Sequence, residues 1–304
     1  MREVKVKAYA KVNLSLDITG HRDDGYHELR SVMQEIALYD ELTLRTAEKG
    51  IRLRVSSENL PGCSHEEVPE DARNLAYRAA ELLFEDAGFT GGVEIELKKQ
   101  IPAAAGLAGG STDAAAVLRG LCVLYMLDHT EADLCRLGAK LGADVPFCIR
   151  GGTALAEGIG DVLTKLPTPQ GVRIVLVKPP IAVSTAQVYR DYDAIASERK
   201  ALDTEGLLRL LQGGDADAKS LSPYLGNALA AVTEKQHPRI EEIRKAMLSA
   251  GADGALMSGS GPSVFGVFSE EEAAKRAAGQ LRENYPDCFT AHVGLCDGHK
   301  ESET

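Results

Sequence analysis

Tryptophan is absent from this chain of 304 residues, and aromatic side chains make up only 5% of it. There is no aromatic-rich surface on which the bases of a nucleic acid could stack. Positive charge is also scarce. Against 45 Asp and Glu stand 34 Lys and Arg, a formal net charge of -11, which argues against a general nucleic-acid or membrane-surface binder. A small anionic ligand stays open, because a local cluster of donors can oppose the overall sign. No window approaches the ~20 apolar residues needed to span a bilayer. The start, Met1-Arg2-Glu3-Val4-Lys5-Val6-Lys7, alternates like a strand and lacks an apolar signal core. The 6 cysteines (Cys63, Cys122, Cys135, Cys148, Cys288 and Cys296) form no C-x-x-C pair, so neither a disulfide framework nor a zinc knuckle is expected. Cys288, His292 and Cys296 share one parity of a strand and read better as half-buried strand residues than as metal ligands. The expectation is a cytoplasmic protein without nucleic-acid or membrane partners.

What is present is ordinary for a globular chain: 44% hydrophobic and 26% charged residues, in a length that suits two cores. Val4, Val6, Ala8 and Ala10 alternate with polar residues, and Val12, Leu14, Leu16 and Ile18 continue the parity. This predicts a long strand with Lys11 and Asn13 on its more polar face. Residues 20–25 read as a turn. Strands are expected over 34–45, 51–55, 93–98 and 153–156, with helices over 74–87, 114–127 and 131–141, the last capped by Gly142. Pro167-Thr168-Pro169-Gln170-Gly171 marks a boundary. Beyond it the pattern predicts strands at 173–178, 254–257, 263–268 and 288–295, and helices near 185–195, 204–211, 227–233, 238–250 and 270–282. The mixture lacks a strict βαβ rhythm, which favours α+β. Two units are expected, 1–166 and 167–297, followed by a disordered tail at 298–304.

The most informative stretch is Pro102-Ala103-Ala104-Ala105-Gly106-Leu107-Ala108-Gly109-Gly110-Ser111-Thr112, lying between an alternating segment and a helix. A glycine-rich turn entering a helix lets backbone N–H groups converge on an anion, aided by the helix dipole. The bland alternative is that small residues merely let a helix and a strand pack closely. Ser111 and Thr112 add hydroxyls for a phosphate or magnesium. No Lys directly follows the glycines, so this is neither the Walker loop nor the dinucleotide fingerprint.

Phosphoryl transfer needs positioned phosphates, charge neutralisation and a base for the acceptor hydroxyl. Asp144, in Leu141-Gly142-Ala143-Asp144-Val145-Pro146-Phe147, is a candidate base flanked by apolar residues, although a turn former bonded to nearby amides would look the same. Lys11 is its natural partner, able to hold that carboxylate ionised and to stabilise charge on an attacking oxygen. A solvated strand-edge lysine is the alternative. Tyr26 and His27 could stack on and hydrogen-bond a planar group, or simply pack a loop on the sheet.

Together, Lys11 with Asn13, the 102–112 loop and Ser258-Gly259-Ser260-Gly261-Pro262-Ser263 resemble the GHMP kinase superfamily of small-molecule kinases. Four further segments carry the likeness: 10–14, Gly20-His21-Arg22-Asp23-Asp24-Gly25-Tyr26-His27, 141–147 and Ala156-Glu157-Gly158-Ile159-Gly160. The resemblance runs from about residue 5 to residue 295. It points to a branch whose substrate carries cytidine diphosphate, in the non-mevalonate isoprenoid route. It implies an N-terminal domain like ribosomal protein S5 domain 2, a ferredoxin-like C-terminal domain, and a site in the cleft between them. It implies ATP as donor, Mg2+, and a tertiary hydroxyl as acceptor, in a monomer or weak homodimer.

By the same resemblance Asp144 is the base, Lys11 its cationic neighbour, and Asn13 lies near the acceptor. Tyr26, His27 and Tyr189 would surround the cytosine, and Thr185 would line the cleft. Asn74 falls near adenine and Lys99 beside the nucleotide, while Ser111 or Thr112 would bind magnesium. Family members often carry glycine at Ala105 and Ala108, so this loop departs from the pattern there. Two other readings fit less well: a homoserine- or mevalonate-type kinase of the same superfamily, whose acceptor has no cytosine to stack, and a non-catalytic sensor on the same scaffold.

Overall fold

The computed structural model describes residues 2–57, 68–195 and 201–298; most of the expected tail, 299–304, lies outside the described residues. Apolar alternation over the first forty residues produces two long antiparallel strands, β1 (Glu3–His21) and β2 (His27–Ala47), joined by a short turn. Next come β3 (Gly50–Ser57), α1 (Leu75–Asp86) and β4 (Gly92–Lys99). β3 and β4 pair in parallel, so α1 is the crossover such a pair requires. Helices α2 (Gly109–Tyr125), α3 (Glu131–Ala139) and α4 (Val145–Arg150) precede the hairpin of β5 (Thr153–Glu157) and β6 (Val162–Leu166).

The second half contains β7 (Arg173–Lys178), α5 (Thr185–Asp193), α6 (Thr204–Gln212), the single turn α7 (Ala218–Leu221) and the short β8 (Gly226–Asn227). It ends with α8 (Ala230–Gln236), α9 (Pro238–Ser249), β9 (Gly254–Met257), β10 (Val264–Phe268), α10 (Glu271–Asn284) and β11 (Phe289–Gly294).

Two sheets result. The larger runs β3-β4-β2-β1-β8, with β5 and β6 continuing from β2; the smaller runs β11-β7-β10-β9. Strands β1 to β6 fall before the 167–171 segment and the four strands of the smaller sheet after it. The exception is β8, which pairs with β1 at Ser15 and Leu16. One apolar cluster lies between the larger sheet and α1 and α2. There Ala114, Ala115 and Ala116 are fully buried, and a Cβ on Gly120 would sit 2.5 Å from Leu44 Cδ1, so α2 rides directly on the sheet. A second cluster joins Ala10, Val12 and Leu14 of β1 to Ile174, Leu176 and Phe265 of the smaller sheet. Burying β1 on both sides ties the two halves together at the segment that carries Lys11.

Several boundaries differ from the sequence expectation. Helix α2 starts at Gly109 rather than near Ala114, so the last glycines are its first turn. The α3 C-cap is Lys140, not Gly142, which instead accepts from the N–H of Val145 in the turn before α4. Helix α8 starts at Ala230, because Gly226 and Asn227 pair with β1. The hairpin strand β6 and the short α4 had no distinct periodic signal.

Candidate active site

The loop after β4 is anchored before it turns. Asp40 Oδ1 accepts from the N–H groups of Gln100 and Ile101, the latter at 2.8 Å, and Asp40 Oδ2 pairs with the Lys99 ammonium. Lys99 also donates to Asp113 Oδ2 at 2.7 Å. All three groups are buried. Burial opposes the lysine's charge, but Asp113 and Asp40 outweigh it and hold the ammonium above its ordinary pKa. Burial pushes the Asp113 carboxyl up to about 8, with Asp40 adding and Lys99 opposing. Burial and the neighbouring Asp40 thus favour the protonated form of Asp113 beside the Lys99 ammonium.

From there the chain winds through left-handed backbone at Ala104 (φ 48), Gly106 (φ 73) and Ala108 (φ 60). Ala108 is the N-cap of α2, and an alanine side chain supplies no cap. The N–H groups of Gly109, Gly110 and Ser111 are left without intrahelical acceptors at the positive end of the helix dipole. A Cβ on Gly109 would lie 3.5 Å from Lys99 Nζ, so the buried ammonium sits directly behind this turn.

The loop is clamped from both sides. Lys11 N–H of β1 donates to Leu107 O at 3.2 Å. Ser258 Oγ, from the smaller sheet, donates to Gly106 O at 2.9 Å. A Cβ on Gly106 would meet Ser258 O at 2.3 Å, so only glycine permits this approach. Asn227 holds the opposing loop by donating to Met257 O and Gly259 O, both at 2.8 Å. Thr185 reaches the same loop, its Oγ1 2.8 Å from Ser260 Oγ.

Register shifts in the β1–β2 pairing fall between Tyr9 and Lys11 and between Asn13 and Ser15. Such irregularities re-aim side chains next to functional sites. Lys11 Nζ donates to Asn13 Oδ1 at 2.9 Å and lies 3.7 Å from Asp144 Oδ2. Asn13 donates on to Ser31 Oγ at 2.8 Å, which donates to Ser15 O at 2.6 Å. The Lys11 side chain is 6% exposed and that of Asp144 33%, so the cation is fixed and the carboxylate faces solvent. Asp144 is the residue before α4 and makes no capping bond with its side chain. The turn-former alternative therefore does not describe it.

At the far end of the β1–β2 hairpin, His27 Nε2 is 2.7 Å from Asp193 Oδ1. The His27 ring lies 4.9 Å from that of Tyr189, tilted by 34°. Burial, and secondarily the Asp144 carboxylate, raise the Tyr189 phenol above its ordinary pKa, which places Tyr189 within electrostatic reach of the candidate base. Tyr26 does not join this pair; its side chain is 59% exposed.

Two other expected residues have structural occupations. Asn74 caps α1, accepting from Ala76 N–H and donating to Pro69 O. Thr112 Oγ1 donates to Tyr9 O at 2.6 Å in the buried seam under α2, which leaves Ser111 as the freer hydroxyl, 3.9 Å from where a Cβ on Gly142 would stand. Asp40, Asn227 and Asp193 were not singled out from sequence. Each acts through contacts at large sequence separation, for which composition and spacing carry no signal.

Family models match both halves: the GHMP kinases N terminal domain over residues 74–152 and the GHMP kinases C terminal domain over 207–287. A 4-diphosphocytidyl-2-C-methyl-D-erythritol kinase from Moorella thermoacetica is 48% identical, covering 96% of this chain and all of the relative. Its counterpart from Acetivibrio thermocellus is 45% identical over the same shares. A crystal structure of 4-(cytidine 5'-diphospho)-2C-methyl-D-erythritol kinase superposes with a TM-score of 0.77 at 36% identity, covering 96% of this chain and 99% of the other.

Proposed function

The chain belongs to the GHMP kinase family, among its 4-diphosphocytidyl-2-C-methyl-D-erythritol kinases, and we propose that Lys11, Asp144 and the 102–112 loop carry out its phosphoryl transfer. The reaction is ATP-dependent phosphorylation of the 2-hydroxyl of 4-diphosphocytidyl-2-C-methyl-D-erythritol, in the non-mevalonate route to isoprenoid precursors. The observation that carries the assignment of roles is the 3.7 Å separation of Lys11 Nζ and Asp144 Oδ2 on a strand whose own N–H pins the glycine loop.

Gly109, Gly110 and Ser111 offer uncapped N–H groups with Lys99 behind them, which fits a triphosphate. Residues Pro102 to Ala108 shape the approach, and Asn74, at the adjacent start of α1, fixes one wall of the adenosine end. Ser111 Oγ would hold magnesium, which when bound supplies neutralisation of charge between the β- and γ-phosphates. Asp144 orients the acceptor hydroxyl and takes its proton as the new O–P bond forms and the bond to the β-phosphate oxygen breaks. An aspartate's ordinary pKa of about 4 suits late rather than early proton transfer. Lys11, steered by Asn13, stabilises negative charge on the attacking oxygen.

The His27–Tyr189 pair is the cytosine platform, with Asp193 orienting the imidazole; Tyr26 would fold over the base from its exposed position, and Thr185 lines the cleft beside Ser260. We assign residues 1–166 and 167–297 to the two domains, the protein to the cytoplasm, and its state to a monomer or weak homodimer. Purified protein with MgATP should phosphorylate the cytidylyl substrate and neither homoserine nor mevalonate. Turnover of either of the latter at a comparable kcat/KM would contradict the assignment of the base platform.

A further inference from the structure

His21 closes β1 and His27 opens β2, and the two are direct cross-strand partners. The turn between them is tight, with Arg22 N–H donating to Tyr26 O at 2.8 Å, so the two imidazoles cannot drift apart along the strands. Their ring centroids are 4.9 Å apart and nearly perpendicular. Asp193, the last residue of α5, completes the group: one ligand atom from each of His21, His27 and Asp193 lies within 4.8 Å of the other two. Arg22, in the connecting turn, is paired with Asp24 at 2.9 Å and Glu28 at 3.3 Å.

We propose that His21, His27 and Asp193 form a binding site for a divalent transition-metal ion of the zinc class. Two neutral imidazole nitrogens and one carboxylate oxygen are a donor set that zinc takes with a fourth position left for water. Ligand bonds of about 2.0–2.2 Å require the three donor atoms to close in modestly, which rotation of the exposed His21 and Asp193 side chains toward the largely buried His27 allows. Binding replaces the 2.7 Å contact of His27 Nε2 with Asp193 Oδ1 by bonds from both groups to the metal. Magnesium, a hard ion that prefers oxygen ligands and keeps its waters, does not compete for this set. The site can therefore coexist with the magnesium that phosphoryl transfer needs.

The consequence rests on the reading of His27 as a cytosine contact. A metal held on His27 removes the nitrogen that would hydrogen-bond the base, so it blocks the acceptor end and leaves the ATP end alone. Zinc-class ions then inhibit competitively with the cytidylyl substrate and not with ATP.

The test uses full-length protein and its H21N variant, since His21 has no part in the proposed transfer or base contacts. Calorimetric titration with Zn2+ in the absence of nucleotide should give one site in the wild type and no comparable site in H21N, which lacks one of the three ligands. Co2+ should give a visible d–d band without thiolate charge-transfer absorption, which separates this site from the free cysteines. H21N should retain its basal kinase activity and lose the zinc inhibition, which also controls for zinc chelated by ATP. Equal zinc affinity in wild type and H21N, or a thiolate signature for the bound cobalt, overturns the site. Zinc that binds through His21 yet leaves the KM of the cytidylyl substrate unchanged supports the site and removes His27 from the base platform instead.

Discussion

Ala104 and Ala108 hold left-handed backbone at φ 48 and 60, a region that costs an L-residue about 1–2 kcal/mol. Of the two positions where the resemblance leads one to expect glycine, Ala108 is left-handed, whereas Ala105 is buried and not left-handed. Glycine loses about 0.5–1 kcal/mol more chain entropy on folding than alanine. The two contributions leave a net gain of about 0.5–1 kcal/mol at each position, so the A104G/A108G double variant should be about 1–2 kcal/mol more stable, read from urea unfolding midpoints. A loss of stability would mean that the two methyl groups contribute packing that outweighs the strain. Lys11 and Asn13 show what a single chain can reveal at this scale. Their parity put both on the polar side of an alternating strand, but the register shifts beside them and the approach of Lys11 to Asp144 leave no trace in composition.

At the scale of elements, the connection from β4 to α2 is the feature that positions the anion site, and its foundation is the Asp40–Lys99–Asp113 cluster. Asp113 titrates near 8 in the folded protein and near the ordinary aspartate value of 3.8 when unfolded. Between those limits the native state holds a proton that the unfolded state has lost. Stability therefore falls as pH rises through that window. D113N mimics the protonated carboxyl, so it should fold normally and flatten the decline in Tm between about pH 4 and 8. An unchanged pH slope would show that Asp113 is ionised in the native state. Helix and strand periodicity located most elements, yet the start of α2 was placed too late, because Gly109 and Gly110 have poor intrinsic helix propensity. Tertiary packing overrides it: Ala114, Ala115 and Ala116 are pressed on the sheet, and the helix begins where it faces the loop. Six residues offer less than two turns of periodicity, so α4 has no helical signal of its own, and Asn227, at the start of a stretch with helical spacing, lies in a strand.

At the scale of the molecule, β1, a strand of the larger sheet packed against the smaller one, brings together residues far apart in the chain: Lys11, Gly106, Asp144 and Ser258. Asp144 was legible as a carboxylate among apolar neighbours and Lys11 as its partner in a constellation. Their mutual distances were not, since they depend on how two sheets dock. Of the residues expected to surround the cytosine, His27 and Tyr189, the latter expected only through the resemblance, do meet and Tyr26 stands in solvent, while Asp193 enters only through the fold. The central claim is that Asp144, held beside Lys11, acts on the acceptor and not on the nucleotide. Single-turnover phosphorylation by D144N, with ATP affinity measured in parallel, tests it most directly. The rate of transfer should fall roughly 100- to 10,000-fold while the Kd for ATP stays nearly unchanged; a parallel loss of both, or a rate close to wild type, would contradict it.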